Sequence, residues 1–304
     1  MTRLRVEVPA SSANLGPGFD CLALALDLVD IVTVDLALES SEVVLLATQG
    51  EATDLDPVEN LLCRAYRAWG HDADRQLPGA RFSLESRIPV GKGFGSSAAS
   101  LVAGLATAAF ACGDNQPRDR MLRLAAALEG HADNVAAATL GGVTTAFCDG
   151  EEVHALHLAN HLSLGVSLFV PRDTLPTEQA RAALPRRVPL ADAVFDIGRS
   201  TYLVTALIWG RWELIGPAMQ DRIHQPYRAR LIPGMEAVIA AATESGAYGA
   251  ALSGGGPSVI ALGPRERAAE VAAAMERAAR DARWEGNSLV SSIRAQGVRV
   301  EKQE

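Results

Sequence analysis

Residues 89–99 most constrain this chain, because a glycine-rich segment there runs directly into an apolar, alanine-rich stretch. Gly91, Gly93 and Gly95 alternate with other residues, and the apolar side chains of 98–112 follow at helical spacing. Glycine allows positive φ angles and a close approach of the backbone to a ligand. A glycine segment that opens a helix is a natural anion site, because free N–H groups and the positive end of the helix dipole converge there. The natural anion is a phosphate.

Two familiar nucleotide motifs do not match this segment. No Gly-Lys-Ser/Thr closes it, as a Walker A loop requires, and Lys92 lies among the glycines instead. The glycine spacing also misses the Rossmann pattern G-x-G-x-x-G. A purely structural alternative remains open, in which the segment is a tight turn and Ser96 or Ser97 is the helix N-cap.

Length and composition place the chain among globular proteins with a sizeable core. It has 304 residues, 48% of them hydrophobic, which suits one large domain or two closely packed ones. The formal net charge of −8 argues against a nucleic-acid partner. The four cysteines show no C-x-x-C spacing, so reduced thiols are expected. Without a signal peptide or a long apolar run, we expect a soluble, cytoplasmic protein with no membrane partner.

Strands and helices mix along the whole chain, so the predicted class is α+β. The patterns predict strands over 4–8, 31–36, 43–47, 82–86, 164–170, 247–252, 258–262 and 292–300. They predict helices over 60–69, 98–112, 119–138 (as one helix or a pair), 191–209, 211–220 and 265–284. We expect Pro9 to end the first strand and residues 11–20 to form a loop. A charged turn at 149–152 places the predicted domain boundary between domains 1–158 and 159–304.

Two polar clusters stand out from their surroundings. Asn14 and Asp20 flank a glycine- and proline-bearing segment and could bind a polar ligand, or could simply stabilise a turn. Residues 129–134 interrupt an apolar helix pattern with four polar side chains. Glu129 is a hard oxygen ligand suited to Mg²⁺, and His131 is better read as a hydrogen-bonding residue than as a zinc ligand. The other histidines that we place at the surface or in loops are His154, His157, His161 and His224.

The second half contributes a glycine turn and two arginines. Residues 253–258 form a second glycine-rich turn between two apolar strands, which alone indicates a hairpin. Arg181 and Arg228 are placed in loops next to prolines, where the planar guanidinium could match a carboxylate or remain a solvated charge. Two glycine turns in the two halves could close over one ligand.

Taken together, these segments resemble the GHMP kinase superfamily and, within it, the homoserine kinase family. Residues 89–98 match the motif Pro-x3-Gly-Leu-Gly-Ser-Ser-Ala with Phe94 for leucine, and residues 9–20 match Pro-x-Ser-x-Ala-Asn-Leu-Gly-x-Gly-Phe-Asp. Residues 131–136 match His-x-Asp-Asn-Val-Ala, and residues 225–234 resemble the segment before the last domain. Residues 253–258 match Ser-Gly-Ser-Gly-Pro-Ser with Gly255 for serine. The matches are collinear and span nearly the whole chain.

The resemblance implies a fold that the patterns alone do not give. Its N-terminal domain is similar to domain 2 of ribosomal protein S5, with a left-handed βαβ crossover that departs from the general rule. Its C-terminal domain is ferredoxin-like. The implied reaction transfers a phosphoryl group from ATP to the hydroxyl of L-homoserine, on the route to threonine. The implied partners are ATP, Mg²⁺, this small substrate and, by family expectation, a second copy of the chain in a homodimer.

The resemblance also implies roles for individual residues. The substrate amino group would meet Asn14 and Asp20, its carboxylate would meet Arg181 and Arg228, and the same pocket would be lined by His131, Asn134 and Thr177. Glu129 with Ser97, or Ser96, would hold Mg²⁺. The nucleotide would lie against Asn60, Leu61, Pro89, Val90, Gly91, Lys92, Gly93, Phe94, Gly95, Ser96, Ser97, Ala98 and Ala99. We therefore expect valine at Gly95 to abolish ATP binding and leave the fold largely intact.

The sequence leaves three rival functions open. One is another small-alcohol kinase of the superfamily, of mevalonate or shikimate type. Asp20 together with the two arginines argues against such a kinase. An amino-acid substrate needs an anion to bind its ammonium group and a cation to bind its carboxylate. A second is an inactive nucleotide-binding regulator, which the retained Glu129 disfavours. A dinucleotide-dependent oxidoreductase lacks the Rossmann spacing. The related mevalonate kinases place an aspartate where this chain has Asn134, so the resemblance implies a mechanism without a general base.

Overall fold

The structure is a computed structural model that describes residues 2–37, 39–53, 55–159 and 162–303. Its strands are β1 (Thr2–Asn14), β2 (Gly18–Ala37), β3 (Val43–Gly50), β4 (Gly79–Ser86), β5 (Val143–Asp149), β6 (Glu152–Ala159), β7 (Gly165–Pro171), β8 (Gly249–Leu252), β9 (Val259–Gly263), β10 (Gly286–Ser291) and β11 (Arg299–Gln303). Its α-helices are α1 (Leu61–Asp72), α2 (Ser96–Cys112), α3 (Arg118–Glu129), α4 (Asp133–Leu140), α5 (Thr177–Ala182), α6 (Leu190–Trp209), α7 (Ile215–Ala218), α8 (Gln225–Arg228), α9 (Met235–Glu244) and α10 (Ala268–Asp281). Within these described ranges, no helix is long and apolar enough to cross a membrane.

Seven strands form the first sheet, in which the strand order is β11-β1-β2-β4-β3 and β5 joins β2 to β6. The neighbours β3 and β4 are parallel and are connected through α1, so they form a βαβ unit. The handedness of that crossover stays a prediction. Helix α2 packs between the sheet and its neighbouring helices, and its alanines are buried on nearly every side. Small side chains allow this close approach, so an alanine-rich sequence suits a fully enclosed helix.

The first hairpin corrects two predictions. Pro9 does not end a strand, because β1 continues to Asn14, and the register shifts between Pro9 and Ala10. Such an irregularity accommodates proline, which cannot donate to the ladder. The expected loop over 11–20 is a three-residue turn between β1 and β2 instead. Asn14 and Leu15 adopt positive φ angles of 71° and 51° at this turn.

The second sheet is antiparallel, with the order β10-β7-β9-β8. Helices α9 and α10 pack together and cover it, and together they enclose a separate apolar core. The chain order β7, α9, β8, β9, α10 and β10, with the sheet order β10-β7-β9-β8, gives the ferredoxin-like arrangement that the resemblance implies.

Several element boundaries differ from the sequence prediction. The predicted helix over 119–138 is the pair α3 and α4, separated at Gly130, where φ is 90°. The predicted helix over 211–220 is a 3₁₀ turn, Trp212–Leu214, followed by the short α7. A single strand over 292–300 is wrong, because β10 ends before it and β11 begins near its end. Since β11 pairs with β1, the C-terminal chain completes the first sheet, and the division at 158/159 stays a prediction.

Candidate active site

A cavity of about 490 Å³ is lined by residues of the first sheet and its helices on one side and by α5, α8 and the turn between β8 and β9 on the other. Most of the residues singled out from the sequence line it. They are Asn14, Asp20, Asn60, Leu61, Pro89, Val90, Gly91, Gly93, Phe94, Gly95, Ser96, Ser97, Glu129, His131, Asn134, Thr177, Arg181 and Arg228. The turn at 254–256 also lines it, so the two glycine turns face one cavity, as the sequence suggested.

Glycine is required in this segment by packing against other protein residues as well as by the room that a ligand would need. Gly93 and Gly95 have φ angles of 84° and 65°. A Cβ at Gly93 would lie 2.2 Å from the carbonyl oxygen of Ser253, and one at Gly95 would lie 2.3 Å from Ser11 Oγ. These positions therefore exclude side chains because protein atoms already fill the space, independently of any ligand.

Helix α2 begins without a side-chain cap. Its N-cap is Gly95, and within the part of the chain that the structure describes no side chain accepts a hydrogen bond from its first turn. The alternative in which Ser96 or Ser97 caps the helix is therefore wrong. The uncapped N–H groups of the first turn open toward the cavity that Ser96 and Ser97 line, which is the arrangement that binds anions.

Three residues of the predicted nucleotide segment do not line the cavity. Lys92 Nζ donates hydrogen bonds to the backbone carbonyls of Arg172 and Asp173, the second at 2.8 Å. Its ammonium group thus ties the glycine segment to the connection between β7 and α5. The side chains of Ala98 and Ala99 are fully buried in the core. The sequence prediction drew these residues from the motif, which does not tell which side chains turn away from the ligand.

Ser97 and Glu129 form the oxygen pair best suited to a divalent cation. Ser97 Oγ donates a hydrogen bond to Glu129 Oε1, whereas Ser96 makes no such contact. The pair joins the start of α2 to the end of α3 at the cavity wall. Mg²⁺ favours one or two protein oxygens completed by waters and substrate phosphates, so this pair fits Mg²⁺ beside a bound nucleotide. Of the two serines left open by the sequence, the geometry favours Ser97.

His131 lies between two carboxylates. Its Nδ1 is 2.7 Å from Asp133 Oδ1, and its Nε2 is 3.8 Å from Glu129 Oε1. Burial opposes the charged ring, but the hydrogen bond to Asp133 and the two negative charges outweigh it and raise the pKa of His131. Asp133 is part of the polar cluster 129–134 but has no predicted role, and in the structure it also accepts from the backbone N–H of Asn134. Its place in the first turn of α4 could have revealed it as a helix-start carboxylate.

Asp20 and Arg181 bind each other across the cavity. Arg181 Nη1 and Nη2 donate to Asp20 Oδ2 and Oδ1 at 3.0 and 2.9 Å. Arg181 lies in α5, not in a loop as predicted. Both side chains are more than a third exposed, and such pairs contribute about 1 kcal/mol or less. A ligand with one ammonium and one carboxylate can therefore replace both halves of the pair at little cost.

Arg228 lies in α8, not in a loop, and is only 2% exposed. Its Nε donates to the carbonyl of Ala180 at 3.2 Å, and its Nη1 donates to the carbonyl of Gly254 at 3.2 Å. Burial and the charge of Arg181 lower the pKa of Arg228 to about 10. Arg228 thus enters the cavity as a buried cation with a fixed orientation.

His224, predicted at the surface or in a loop, lies in the loop that precedes α8 but not at the surface. His224 is 0% exposed, and its Nδ1 lies 3.1 Å from Arg228 Nη1. His154 and His157 lie on β6, the first exposed and the second partly buried, while His161 is outside the described residues. The sequence offered no signal for His224, because it stands beside polar residues and a proline.

Three predicted ligand-binding amides make hydrogen bonds within the scaffold. Asn14 Nδ2 donates to the carbonyl of Gly254 at 2.8 Å, and its Oδ1 accepts from the N–H of Asp20 at 3.0 Å. Asn60 caps α1, because its Oδ1 accepts from the N–H of Cys63 at 3.0 Å. Asn134 Nδ2 donates to Ser11 Oγ at 2.8 Å. Each of these amides lines the cavity and already makes at least one hydrogen bond within the protein.

Comparison with known proteins agrees with this architecture. The sequence model described as GHMP kinases N terminal domain matches residues 60–142, and that of GHMP kinases C terminal matches residues 203–281. A homoserine kinase of Desulfitobacterium hafniense is 40% identical over 277 residues, which cover 90% of this chain and 91% of that protein. The chain belongs to the homoserine kinase family of the GHMP kinases. A Moorella thermoacetica homoserine kinase is 43% identical over 258 residues, covering 84% of this chain and 86% of that one.

Comparison with solved structures shows that nearly the whole chain adopts the family fold. The crystal structure of homoserine kinase from Cytophaga hutchinsonii matches with a TM-score of 0.90 at 30% identity, covering 98% of this chain and 97% of that one. Mevalonate diphosphate decarboxylase from Enterococcus faecalis shares the fold at a TM-score of 0.71 and 14% identity. The α+β class and the two-part GHMP kinase fold are confirmed. As a GHMP kinase, the chain is an ATP-dependent phosphotransferase.

Proposed function

We propose that this enzyme transfers the γ-phosphoryl group of ATP to the side-chain hydroxyl of L-homoserine, giving O-phospho-L-homoserine and ADP. The observation that carries the proposal is the Asp20–Arg181 pair at the cavity that also receives the uncapped start of α2. One carboxylate and one guanidinium match the ammonium and carboxylate of an amino acid, and helix N–H groups match a phosphate. The homoserine kinases similar to this chain carry the same activity in their name.

The geometry supports catalysis by positioning and charge. Phosphoryl transfer demands little covalent chemistry from the protein, but it demands alignment and neutralisation of phosphate charge. The first turn of α2 supplies N–H donors, and the raised pKa of His131 favours a cation on the same wall. Ser97 and Glu129 are the residues that would hold Mg²⁺, which when bound neutralises phosphate charge. The apolar side chains of Leu61 and Val90 offer a surface for the adenine.

The proposed mechanism uses no protein base. Asn134, where related kinases have an aspartate, is an amide that donates to Ser11 and cannot accept a proton. Asp133 is buried and already accepts from His131 and from backbone. The new bond forms between the homoserine oxygen and the γ-phosphorus as the bond to the β-phosphate oxygen breaks. The hydroxyl proton passes to an oxygen of the transferred phosphoryl group.

An ADP-release assay tests the proposed function directly. The purified enzyme is given ATP and Mg²⁺ with homoserine, mevalonate, shikimate or galactose in parallel. We expect homoserine to support turnover and the others to support little. Robust turnover of mevalonate with none of homoserine would show that the enzyme is a different small-alcohol kinase. ATP binding without turnover of any substrate would favour an inactive nucleotide-binding regulator.

Asp20 supplies a test of how the substrate is bound. Asp20→Asn removes a charge-assisted contact, which contributes about 1.5–3 kcal/mol. Since about 1.4 kcal/mol is tenfold, we expect the homoserine KM to rise roughly ten- to a hundredfold, with a modest change in kcat. Steady-state kinetics with saturating ATP measure both constants.

A substrate analogue without the amino group provides the control for that variant. The analogue never uses Asp20 through an ammonium, so the preference for homoserine over it should narrow in Asp20→Asn. If kcat instead collapses while KM stays unchanged, Asp20 acts as a general base and the base-free mechanism fails.

Cytoplasmic location and a homodimer remain expectations. Leu190, Val194 and Ile197 are exposed at the i, i+4 and i+7 positions of α6, so they share one face and offer an apolar surface to a second copy.

A further inference from the structure

A fully buried imidazole links two sides of the cavity without lining it. His224 Nε2 lies 2.7 Å from the carbonyl oxygen of Gly16 in the turn between β1 and β2. Its Nδ1 lies 3.1 Å from Nη1 of Arg228, one turn further along the chain. His224 has no exposed surface and is absent from the cavity wall. It can therefore act on a bound ligand only through the groups that it contacts.

The partners of the ring determine its tautomer. A carbonyl oxygen only accepts, so the proton must be on Nε2, and a guanidinium only donates, so Nδ1 must be bare. Burial, together with the charge of Arg228, lowers the pKa of His224 and outweighs Asp221, whose Oδ2 lies 3.4 Å from Nε2 and raises that pKa, so the neutral ring is favoured. A protonated ring would turn a donor toward the guanidinium and lose this contact.

The surroundings leave the ring little freedom. It stacks on Phe19, with ring centroids 5.3 Å apart and planes 30° apart. The side chain of Asp221 accepts from the backbone N–H groups of Ile223, His224 and Gln225, at 2.7, 3.1 and 2.6 Å for the nearer oxygen in each case. The backbone that carries His224 is thus held by a buried carboxylate, and the ring by an aromatic face.

Hydrogen bonds within the protein fix the guanidinium of Arg228 and leave only some of its N–H donors free for a ligand. Three of its five N–H donors are used, by Ala180, Gly254 and His224. Among the described residues, Nη2 has no hydrogen-bond partner, and Arg228 lines the cavity. The carbonyl of Gly254 also accepts from Asn14, so one connected set of hydrogen bonds joins the first turn, the second glycine turn and Arg228.

We propose that His224 is a positioning residue for substrate binding, which holds Arg228 so that Nη2 remains available to the homoserine carboxylate. This assignment rests on the proposed function. It means that Arg228 offers one edge of its guanidinium, while the bidentate fork of Arg181 is used by Asp20 or by the substrate. The imidazole acceptor at Nδ1, rather than the bulk of the ring, is what sets the affinity.

A matched pair of variants separates the two nitrogen atoms. In His224→Asn the amide oxygen can occupy the place of Nδ1, so the acceptor for Arg228 is kept and the bond to Gly16 is lost. In His224→Gln the amide nitrogen can occupy the place of Nε2, so the bond to Gly16 is kept and the acceptor is lost. We expect His224→Gln to raise the homoserine KM roughly three- to tenfold, the usual effect of one hydrogen bond, with the ATP KM and kcat within about twofold. We expect His224→Asn to keep the homoserine KM within about twofold of wild type.

The outcomes are separable from those for the proposed function. Wild type without homoserine turnover contradicts the function itself. Wild type with turnover and equal homoserine KM values in the two variants shows that His224 is structural only. If neither variant folds, long-range ¹H–¹⁵N NMR of the wild-type histidines decides, with a neutral Nε2–H ring expected for His224. A ring protonated on Nδ1 would overturn the proposal.

Discussion

Replacing Glu129 by glutamine is expected to lower kcat roughly 10²- to 10³-fold. The variant keeps the size of the side chain and an acceptor for Ser97, but removes the negative charge from the pair that would hold Mg²⁺. Metal stabilisation of phosphate charge is worth several kcal/mol, and each 1.4 kcal/mol is about tenfold. The change also removes one of the two carboxylates that flank His131. Initial rates at saturating ATP and homoserine, measured over a titration of Mg²⁺, give both kcat and the metal requirement.

The two adjacent serines provide the control for this metal site. Ser97→Ala removes the hydroxyl that faces Glu129, whereas Ser96→Ala removes one that does not. We expect Ser97→Ala, but not Ser96→Ala, to raise the Mg²⁺ concentration needed for half-maximal activity. A Glu129→Gln enzyme with the kcat and Mg²⁺ dependence of wild type would exclude this pair as the metal site.

Gly95→Val is expected to destabilise the fold, and through it to remove ATP binding. A left-handed backbone costs an L-residue roughly 1–2 kcal/mol, and φ at Gly95 is 65°. Overpacking adds roughly 1–3 kcal/mol, since the new Cβ would lie 2.3 Å from Ser11 Oγ and 2.9 Å from Asn134 Nδ2. The expectation from sequence, loss of ATP binding with an intact fold, is therefore revised. Urea unfolding followed by circular dichroism measures the lost stability.

Gly255→Ala is the control at another glycine that lines the same cavity. A Cβ at Gly255 would meet only Ala180 Cβ at 3.6 Å, an ordinary contact, so we expect stability within about 0.5 kcal/mol of wild type. If Gly95→Val unfolds at the wild-type urea midpoint and loses only ATP affinity, then nucleotide contact, rather than packing against Ser11, explains the glycine.

The family and the members of the site were within reach of the sequence. The glycine segment, the 131–136 motif and the second glycine turn lie far apart in the chain, yet they face one cavity. Local chemistry accounts for this success, because glycine, hydroxyl and carboxylate residues in fixed spacing have few uses other than holding a charged ligand. The motif also led to the prediction that Lys92, Ala98 and Ala99 contact the nucleotide. Their side chains point elsewhere, because residue spacing does not reveal side-chain direction.

The sequence by itself determined the α+β class, the phosphate-binding helix start and the residue types of the substrate pocket. Only the tertiary structure decided that Asp20 and Arg181 pair, that β11 returns to β1 and that His224 holds Arg228. These contacts join residues that local periodicity cannot relate, because helix and strand patterns report a buried face and not the partner that covers it. The burial of His224 could not be predicted from local sequence either. A polar side chain is buried only where other residues satisfy its hydrogen bonds, and one of its partners, Gly16, is distant in the chain.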